Sequence, residues 1–381
     1  MKLVILGISV GLLLSGCQLE WMSSGSSAKE GPSPADVGPD PELAEQATDW
    51  GVVFSSAGET VQSRIGITLS SNFQPERAKA AGDSVFVFGA SGPLLRLNSA
   101  GGVYQFESPV VASVKDIDYR EGKVWLVGDD SEGGSSVWSS GDLGQSWTRD
   151  LNTTADFFYS VTTHQNLDKL ESIIAVPSGK IFVTGRLRDS GPTLLYHGEE
   201  GWEEWLGAID WSVVGSIAQI FFRIIYVENE DEVYFLGSSK GVATSVDLGA
   251  SWSSEEVFSG AERLKAIDCE DLLCLLVGDQ GTLTTTSLGQ VHESVQYPPS
   301  LNISAVDVFL HPDPSMGFRY YLGSEQGEIY YSDDNGLTWV KQTTGSRLPV
   351  RSILVTSLTE GVAVTGSPAN TLRSILKFSA E

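Results

Sequence analysis

An eight-residue pattern constrains this chain more than any other feature. It stands as Ser332-Asp-Asp-Asn-Gly-Leu-Thr-Trp339 and recurs as Ser245-Val-Asp-Leu-Gly-Ala-Ser-Trp252 and Ser140-Gly-Asp-Leu-Gly-Gln-Ser-Trp147. A pattern repeated within one chain indicates one supersecondary unit used several times, with neighbouring copies burying each other's apolar faces. Each copy follows a run of β-formers, such as Glu328-Ile-Tyr-Tyr331, and precedes an extended segment, such as Val340-Lys-Gln342. The unit reads as strand, tight turn, strand. The aspartate accepts backbone N–H groups of the turn, and the glycine supplies a positive φ. The hydroxyl residues tie the turn further. The tryptophan opens the outgoing strand and packs between neighbouring sheets. Ser140, Asp142, Gly144, Ser146, Trp147, Ser245, Asp247, Gly249, Ser251, Trp252, Ser332, Asp334, Gly336, Thr338 and Trp339 are thus assigned structural rather than chemical roles.

A second recurrence sets the repeat length. Short apolar runs end in glycine at Val85-Phe-Val-Phe-Gly89, Val124-Trp-Leu-Val-Gly128, Ile181-Phe-Val-Thr-Gly185, Val233-Tyr-Phe-Leu-Gly237, Cys274-Leu-Leu-Val-Gly278, Tyr320-Tyr-Leu-Gly323 and Val362-Ala-Val-Thr-Gly366. Successive glycines lie 39 to 57 residues apart, which suits one four-stranded unit each. The octapeptide resembles the Asp-box, or BNR repeat, Ser-x-Asp-x-Gly-x-[Ser/Thr]-Trp. That resemblance implies an all-β, seven-bladed β-propeller, with the motif on the periphery between the third and fourth strands of a blade. Ser99 to Tyr104 and Ser287 to His292 keep only the glycine and a bulky residue, with His292 in the tryptophan's place. The last unit ends at Ser374-Ile-Leu-Lys-Phe378 without room for a fourth strand. Trp50-Gly-Val-Val-Phe54 is a strand without a blade, and is expected to complete the seventh and close the ring.

The N-terminal region reads differently. Lys2 precedes an apolar run, Leu3 to Leu14, too short to span a bilayer comfortably, as in a signal peptide. It ends in Leu14-Ser15-Gly16-Cys17, which resembles the bacterial lipobox. The resemblance implies cleavage after residue 16, lipidation of Cys17 with palmitate-type chains, and anchoring without a spanning helix. Gln18 in place of aspartate leans towards the outer membrane of a Gram-negative envelope. Residues 17–48, with Ser23-Ser-Gly-Ser-Ser27, Gly31-Pro-Ser-Pro34 and Gly38-Pro-Asp-Pro41, are expected to be a disordered tether. Pro41 to Ala47 is the best candidate for one helical turn. The propeller is expected over residues 49–381.

The chain carries 24 basic and 49 acidic residues, a net charge of −25 that becomes −26 when Lys2 is cleaved away. That excludes a nucleic-acid partner, which needs a basic face. It leaves a solubilising surface or a cationic partner. Once Cys17 is lipidated, Cys269 and Cys274 remain. A hairpin would set them opposite each other, and an exported chain meets a disulfide-permissive compartment. Free thiols are the alternative. No further Cys or His lies near enough in sequence to suggest a metal site, and no cofactor is expected.

Neither a Gly-x-Ser-x-Gly elbow nor a P-loop occurs, and the four histidines hold no ligand spacing. The acidic groups at Asp129-Asp130, Glu228 to Glu232 and Asp268 to Asp271 lack EF-hand spacing and read as solvated turns. Sialidases share the Asp-box propeller and place a Phe-Arg-Ile-Pro segment early. Phe222-Arg-Ile-Ile225 keeps three letters and lies after the first full Asp-box. The blade pattern, best seen in Tyr320 to Trp339, is also similar to the Ycf48-like photosystem II assembly factors and their non-photosynthetic relatives. That resemblance implies a non-enzymatic scaffold that binds a protein client. The arginine-rich patch of the photosynthetic members has no counterpart here.

The expectation is a monomeric, lipid-anchored propeller binding an envelope protein or a glycan. A sialidase-like hydrolase or lyase, with a carboxylate pair in the channel, is the alternative. A purely structural envelope role is a third reading. The longer repeat spacings put extra loop at residues 150–170 and 199–220, where Phe157, Phe158, Tyr159, Trp202, Trp205 and Trp211 are the candidate binding residues.

Overall fold

The computed structural model describes residues 46–55, 73–98, 102–110, 112–130, 134–152, 167–176, 179–187, 191–198, 201–204, 223–227, 232–236, 241–247, 251–256, 264–270, 273–279, 282–287, 290–296, 301–344, 346–367 and 373–379. The chain divides into Met1–Glu42 and Leu43–Glu381, and every described residue lies in the second unit. Among the described residues there are 28 strands and no α-helix.

Strand β1 (Gln46–Ser55) comes first, so Gln46 and Ala47 are extended where a helical turn was expected. Four-stranded antiparallel groups follow in chain order, numbered here as blades. Blade one is β2 to β5 (Gln74–Ala81, Ser84–Ser91, Leu94–Asn98, Val103–Phe106). Blade two is β6 to β9 (Ser113–Arg120, Lys123–Asp129, Ser135–Ser140, Thr148–Asn152). Blade three is β10 to β13 (Leu167–Ala175, Ile181–Leu187, Gly191–Gly198, Gly201–Glu204). Blade four is β14 to β17 (Arg223–Val227, Glu232–Leu236, Gly241–Ser245, Ser253–Glu256). Blade five is β18 to β21 (Leu264–Glu270, Leu273–Gly278, Thr282–Ser287, Gln290–Gln296). Blade six is β22 to β25 (Ile303–Leu310, Phe318–Ser324, Ile329–Ser332, Val340–Thr344). Blade seven is β26 to β28 (Val350–Ser357, Glu360–Gly366, Arg373–Ser379), with β1 as its fourth strand.

Strand β1 pairs on both edges. It runs antiparallel to β28, with Trp50 opposite Phe378, and parallel to β25, with Gln46 opposite Gln342. Blades six and seven are thereby one eight-stranded sheet. The first strand of each blade packs on that of the next, β2 on β6, β6 on β10 and so on, and β26 packs back on β2.

The apolar runs are the second strands, and packing explains their composition. Each lies between the faces of two neighbouring blades, so side chains on both sides are buried. Six consecutive residues, Ser84 to Gly89, are buried, as are Val124 to Gly128 and Cys274 to Gly278. A strand buried on both faces needs a continuous apolar run rather than alternation.

The pairing register corrects the glycine alignment in two blades. Gly89, Gly128, Gly185 and Gly278 pair with Pro75, Val114, Leu170 and Leu264 near the start of the first strand. A bulge follows in each first strand. A Cβ at Gly128 would lie 2.4 Å from the Ser113 carbonyl oxygen, and one at Gly89 2.1 Å from that of Gln74. In blades six and seven the register position belongs to Ser324 and Thr365, paired with Ile303 and Val350. Gly323 and Gly366 sit one residue to either side.

Candidate functional site

The octapeptides fold into one turn. Ser140 Oγ donates to Asp142 Oδ1 at 2.7 Å and accepts from the Gly144 N–H at 2.8 Å. Asp142 accepts the Ser146 N–H at 2.8 Å and the Ser146 hydroxyl at 2.6 Å. Ser332 and Asp334 make the same bonds with Gly336 and Thr338. Ser245 and Asp247 repeat the set with Ser251, while Gly249 lies outside the described residues. Two left-handed residues close the turn, Leu143 and Gly144 in blade two, Asn335 and Gly336 in blade six. The Ser146 hydroxyl and N–H, with the Ser140 hydroxyl, hold the Asp142 carboxyl down at about 2. Asp334 is also lowered. Its partial burial, which raises it, is outweighed by the bonds from Thr338 and Ser332.

The tryptophan that leaves this turn has a fixed packing role. Thr148 pairs with Ser139, so Trp147 is next in register to Ser140, which pairs with Val124, four residues before the register glycine. Trp147 packs against the cluster that holds Phe86 and Phe88 of blade one. Trp339 clusters with Ala266, Leu275 and Val277 of blade five. The same register position is filled where no full motif exists. In blade three it is Trp202, opposite His197, packed with Trp125, Val127 and Val137 of blade two. In blade seven it is Trp50 from β1, opposite Phe378, packed with Tyr321, Ile329 and Tyr331 of blade six. Trp202 is 8% exposed, so the structure moves it from the expected binding loop to the seam between two blades. Its turn keeps only Gly201 before the tryptophan, which is why no motif match flagged it. Phe157, Phe158, Tyr159, Trp205, Trp211 and Cys17 lie outside the described residues.

A set of polar residues that the sequence reading missed joins neighbouring blades. Asp118 accepts the Ala175 N–H of blade three at 2.8 Å, Asp268 accepts the Val308 N–H of blade six at 2.8 Å, and Asp307 accepts the Val355 N–H of blade seven at 2.9 Å. The three aspartates share one register position, opposite Trp125, Leu275 and Tyr321. In sequence the three share only a preceding isoleucine or valine, Ile117-Asp118, Ile267-Asp268 and Val306-Asp307, which does not tell a clasp from a solvated carboxylate. Asp116 adds bonds to the Ser172 hydroxyl, at 2.5 Å, and the Ile173 N–H. Burial raises the Asp118 carboxyl above its ordinary range, against the pull of Lys79 and the Ala175 N–H. Asp268 is therefore a clasp and no solvated turn. Asp129 likewise lies between Lys115 and Lys169, at 3.4 and 3.1 Å.

Other charges are also paired. Lys265 meets Asp279 and Glu325, and Arg351 and Arg373 both reach Glu76 at 3.6 Å. Among the described residues no group of three His, Cys, Asp or Glu side chains is placed to hold a metal ion. Cys269 and Cys274 pair across the β18–β19 hairpin with Cα atoms 4.1 Å apart and are joined as a disulfide. In blade five a bulge sets Val291, not His292, opposite Thr286. What this geometry offers is a rigid frame whose carboxylates hold backbone and cations of the protein itself.

No protein-family model matches the sequence, and no curated protein does. Solved structures of similar fold do exist. YCF48 bound to D1 peptide superposes with a TM-score of 0.57 at 12% identity, over 83% of this chain and 94% of that one. YCF48 from Cyanidioschyzon merolae gives 0.56 at 14% identity, over 81% and 96%. The WD40 β-propeller domain of Doa1 gives 0.54 at 13% identity, over 82% and 95%. The fold is an all-β β-propeller.

Proposed function

We propose that this chain is an exported, lipid-anchored, seven-bladed propeller with Asp-box turns, serving as a non-enzymatic scaffold for a protein of the bacterial envelope. Residues 1–16 are its signal peptide, Cys17 its lipidated residue and the segment from there to residue 45, ahead of β1, its tether, with the outer membrane as its site. The observation that carries the scaffold reading is the fate of the buried Asp116 and the half-buried Asp118. A hydrolytic site would need carboxylates facing substrate. These two are committed to Ser172, Ile173 and Ala175 of the next blade. A propeller of this fold holds a peptide in YCF48 bound to D1 peptide, which supports a protein partner. The acidic charge of −25 favours a cationic one.

Crosslinking and pull-down from the native envelope tests this. The expected loop 150–170 overlaps β9 and β10 at its ends, so the exchange is confined to residues 153–166, and capture of one envelope protein that is lost on that exchange is the expected result. A clean negative together with turnover of a glycan panel would replace the scaffold by a hydrolase. Cys17→Ser is expected to move the protein from the membrane to the soluble fraction and to abolish palmitate labelling. Retention in the membrane would refute the anchor.

A further inference from the structure

The tryptophan position of the blades is empty of an indole in blade one. Leu97 pairs with Val85, four residues before Gly89, and Val103 lies opposite Leu97. Val103 therefore stands where Trp147, Trp202, Trp339 and Trp50 stand in their own blades. Each of those indoles packs against the preceding blade. For blade one the preceding blade is the seventh, and a cavity of about 260 Å³ opens at that seam. Its apolar wall is Val85, Leu97 and Val103 from blade one and Val362 from blade seven. Its rim carries Asp83, Glu360 and Lys377. Lys377 lies 3.9 Å from Glu360, which leaves one negative charge over.

We propose that this seam is a docking pocket for an aromatic side chain, tryptophan above all, on a partner protein segment flanked by lysine or arginine. The inference rests on the scaffold reading and names how the partner is recognised. In blades two, three, six and seven the fold itself puts an indole in the equivalent place, while blade five has Val291 there, so the shape and the apolar walls suit one. An aromatic side chain gains a large buried area for little conformational entropy, which makes it an effective anchor. The excess acid at the rim, on a chain of net charge −25, selects cationic flanks.

The test uses the full-length protein in detergent and a Lys-Trp-Lys peptide bearing 5-fluorotryptophan, followed by fluorine NMR and calorimetry. Lys-Trp-Lys is expected to bind about tenfold more tightly than Lys-Ala-Lys or Glu-Trp-Glu. Val103→Trp fills the cavity from within and is expected to weaken binding at least about tenfold without lowering Tm. Asp83 is exposed, so Asp83→Lys keeps the fold and is expected to weaken Lys-Trp-Lys severalfold. Equal binding of Lys-Ala-Lys, or unchanged binding by both variants, overturns the pocket. N-acetyl-tryptophanamide binding as tightly as the peptide overturns the protein partner in favour of a small aromatic ligand. Self-association lost in Val103→Trp assigns the pocket to a second copy and overturns a separate partner. A failed peptide beside a successful envelope pull-down sinks the pocket and leaves the scaffold standing.

Discussion

At the scale of single residues, the turn aspartate illustrates how an exposed group can be strongly bound. Asp142 takes the hydroxyl and N–H of Ser146 and the hydroxyl of Ser140, and its carboxyl falls from 3.8 to about 2. The folded value is below the unfolded one. The stabilisation is therefore present above the unfolded value and is lost as pH falls from near 4 through about 2. Asp142→Asn is expected to flatten the acid limb of Tm against pH in that window, and an unchanged limb would contradict it. Gly144 is constrained differently. Its φ is +89°, and a Cβ would lie 3.3 Å from the Phe86 ring. Gly144→Ala is expected to lose about 1–2 kcal/mol in a urea titration. These turns were legible in the sequence because every partner lies within eight residues. Trp202 was not, because its turn, from His197 to Gly201, has neither the serine nor the aspartate that mark the others.

At the scale of strands, the partners are far apart in sequence and legibility falls. The clasps from Asp118, Asp268 and Asp307 span 57, 40 and 48 residues. No local pattern tells that a carboxylate after an isoleucine or valine faces another blade rather than water. The glycine alignment slipped in blades six and seven for a related reason. Ser324 and Thr365 hold the register position there, fixed by pairing with Ile303 and Val350 of the first strand, and a pairing across strands leaves little trace in composition. Asp307 is the cleanest clasp to test, since both it and Val355 are buried. Asp307→Ala strands the Val355 N–H and is expected to cost about 1–3 kcal/mol. Amide exchange at Val355 should accelerate by more than at other residues of β26. Asp307→Asn keeps an acceptor and should cost less. Equal losses for Ala and Asn would mean that the carboxylate charge, not the hydrogen bond, holds the seam.

At the scale of the whole molecule, the organising fact is that one strand serves two blades. Strand β1 completes blade seven against β28 and covers the edge of blade six at β25. The pairing of the N-terminal strand with β28 followed from arithmetic on the repeats, whereas the parallel contact with β25 had no sequence signal. Trp50 concentrates both roles. It is fully buried, stacks on Phe378 with ring centroids 5.3 Å apart, and donates its indole N–H to Gln342 Oε1 at 2.8 Å. Trp50→Ala removes the indole from the seam of blades six and seven and leaves Gln342 without that donor. A buried tryptophan truncated to alanine costs about 3–5 kcal/mol. Here the loss also loosens the strand that keeps two sheet edges covered, so the damage should spread from residue to molecule. Trp147→Ala is the control, because Trp147 is only half-buried and its turn stays tied by Asp142. The expected result is a larger drop in Tm for Trp50→Ala, accompanied by protease cleavage within β1 and by faster amide exchange in both β25 and β28. If Trp50→Ala and Trp147→Ala lose the same stability and β25 stays protected, β1 is an ordinary fourth strand, and the joining of blades six and seven contributes nothing to holding the propeller closed.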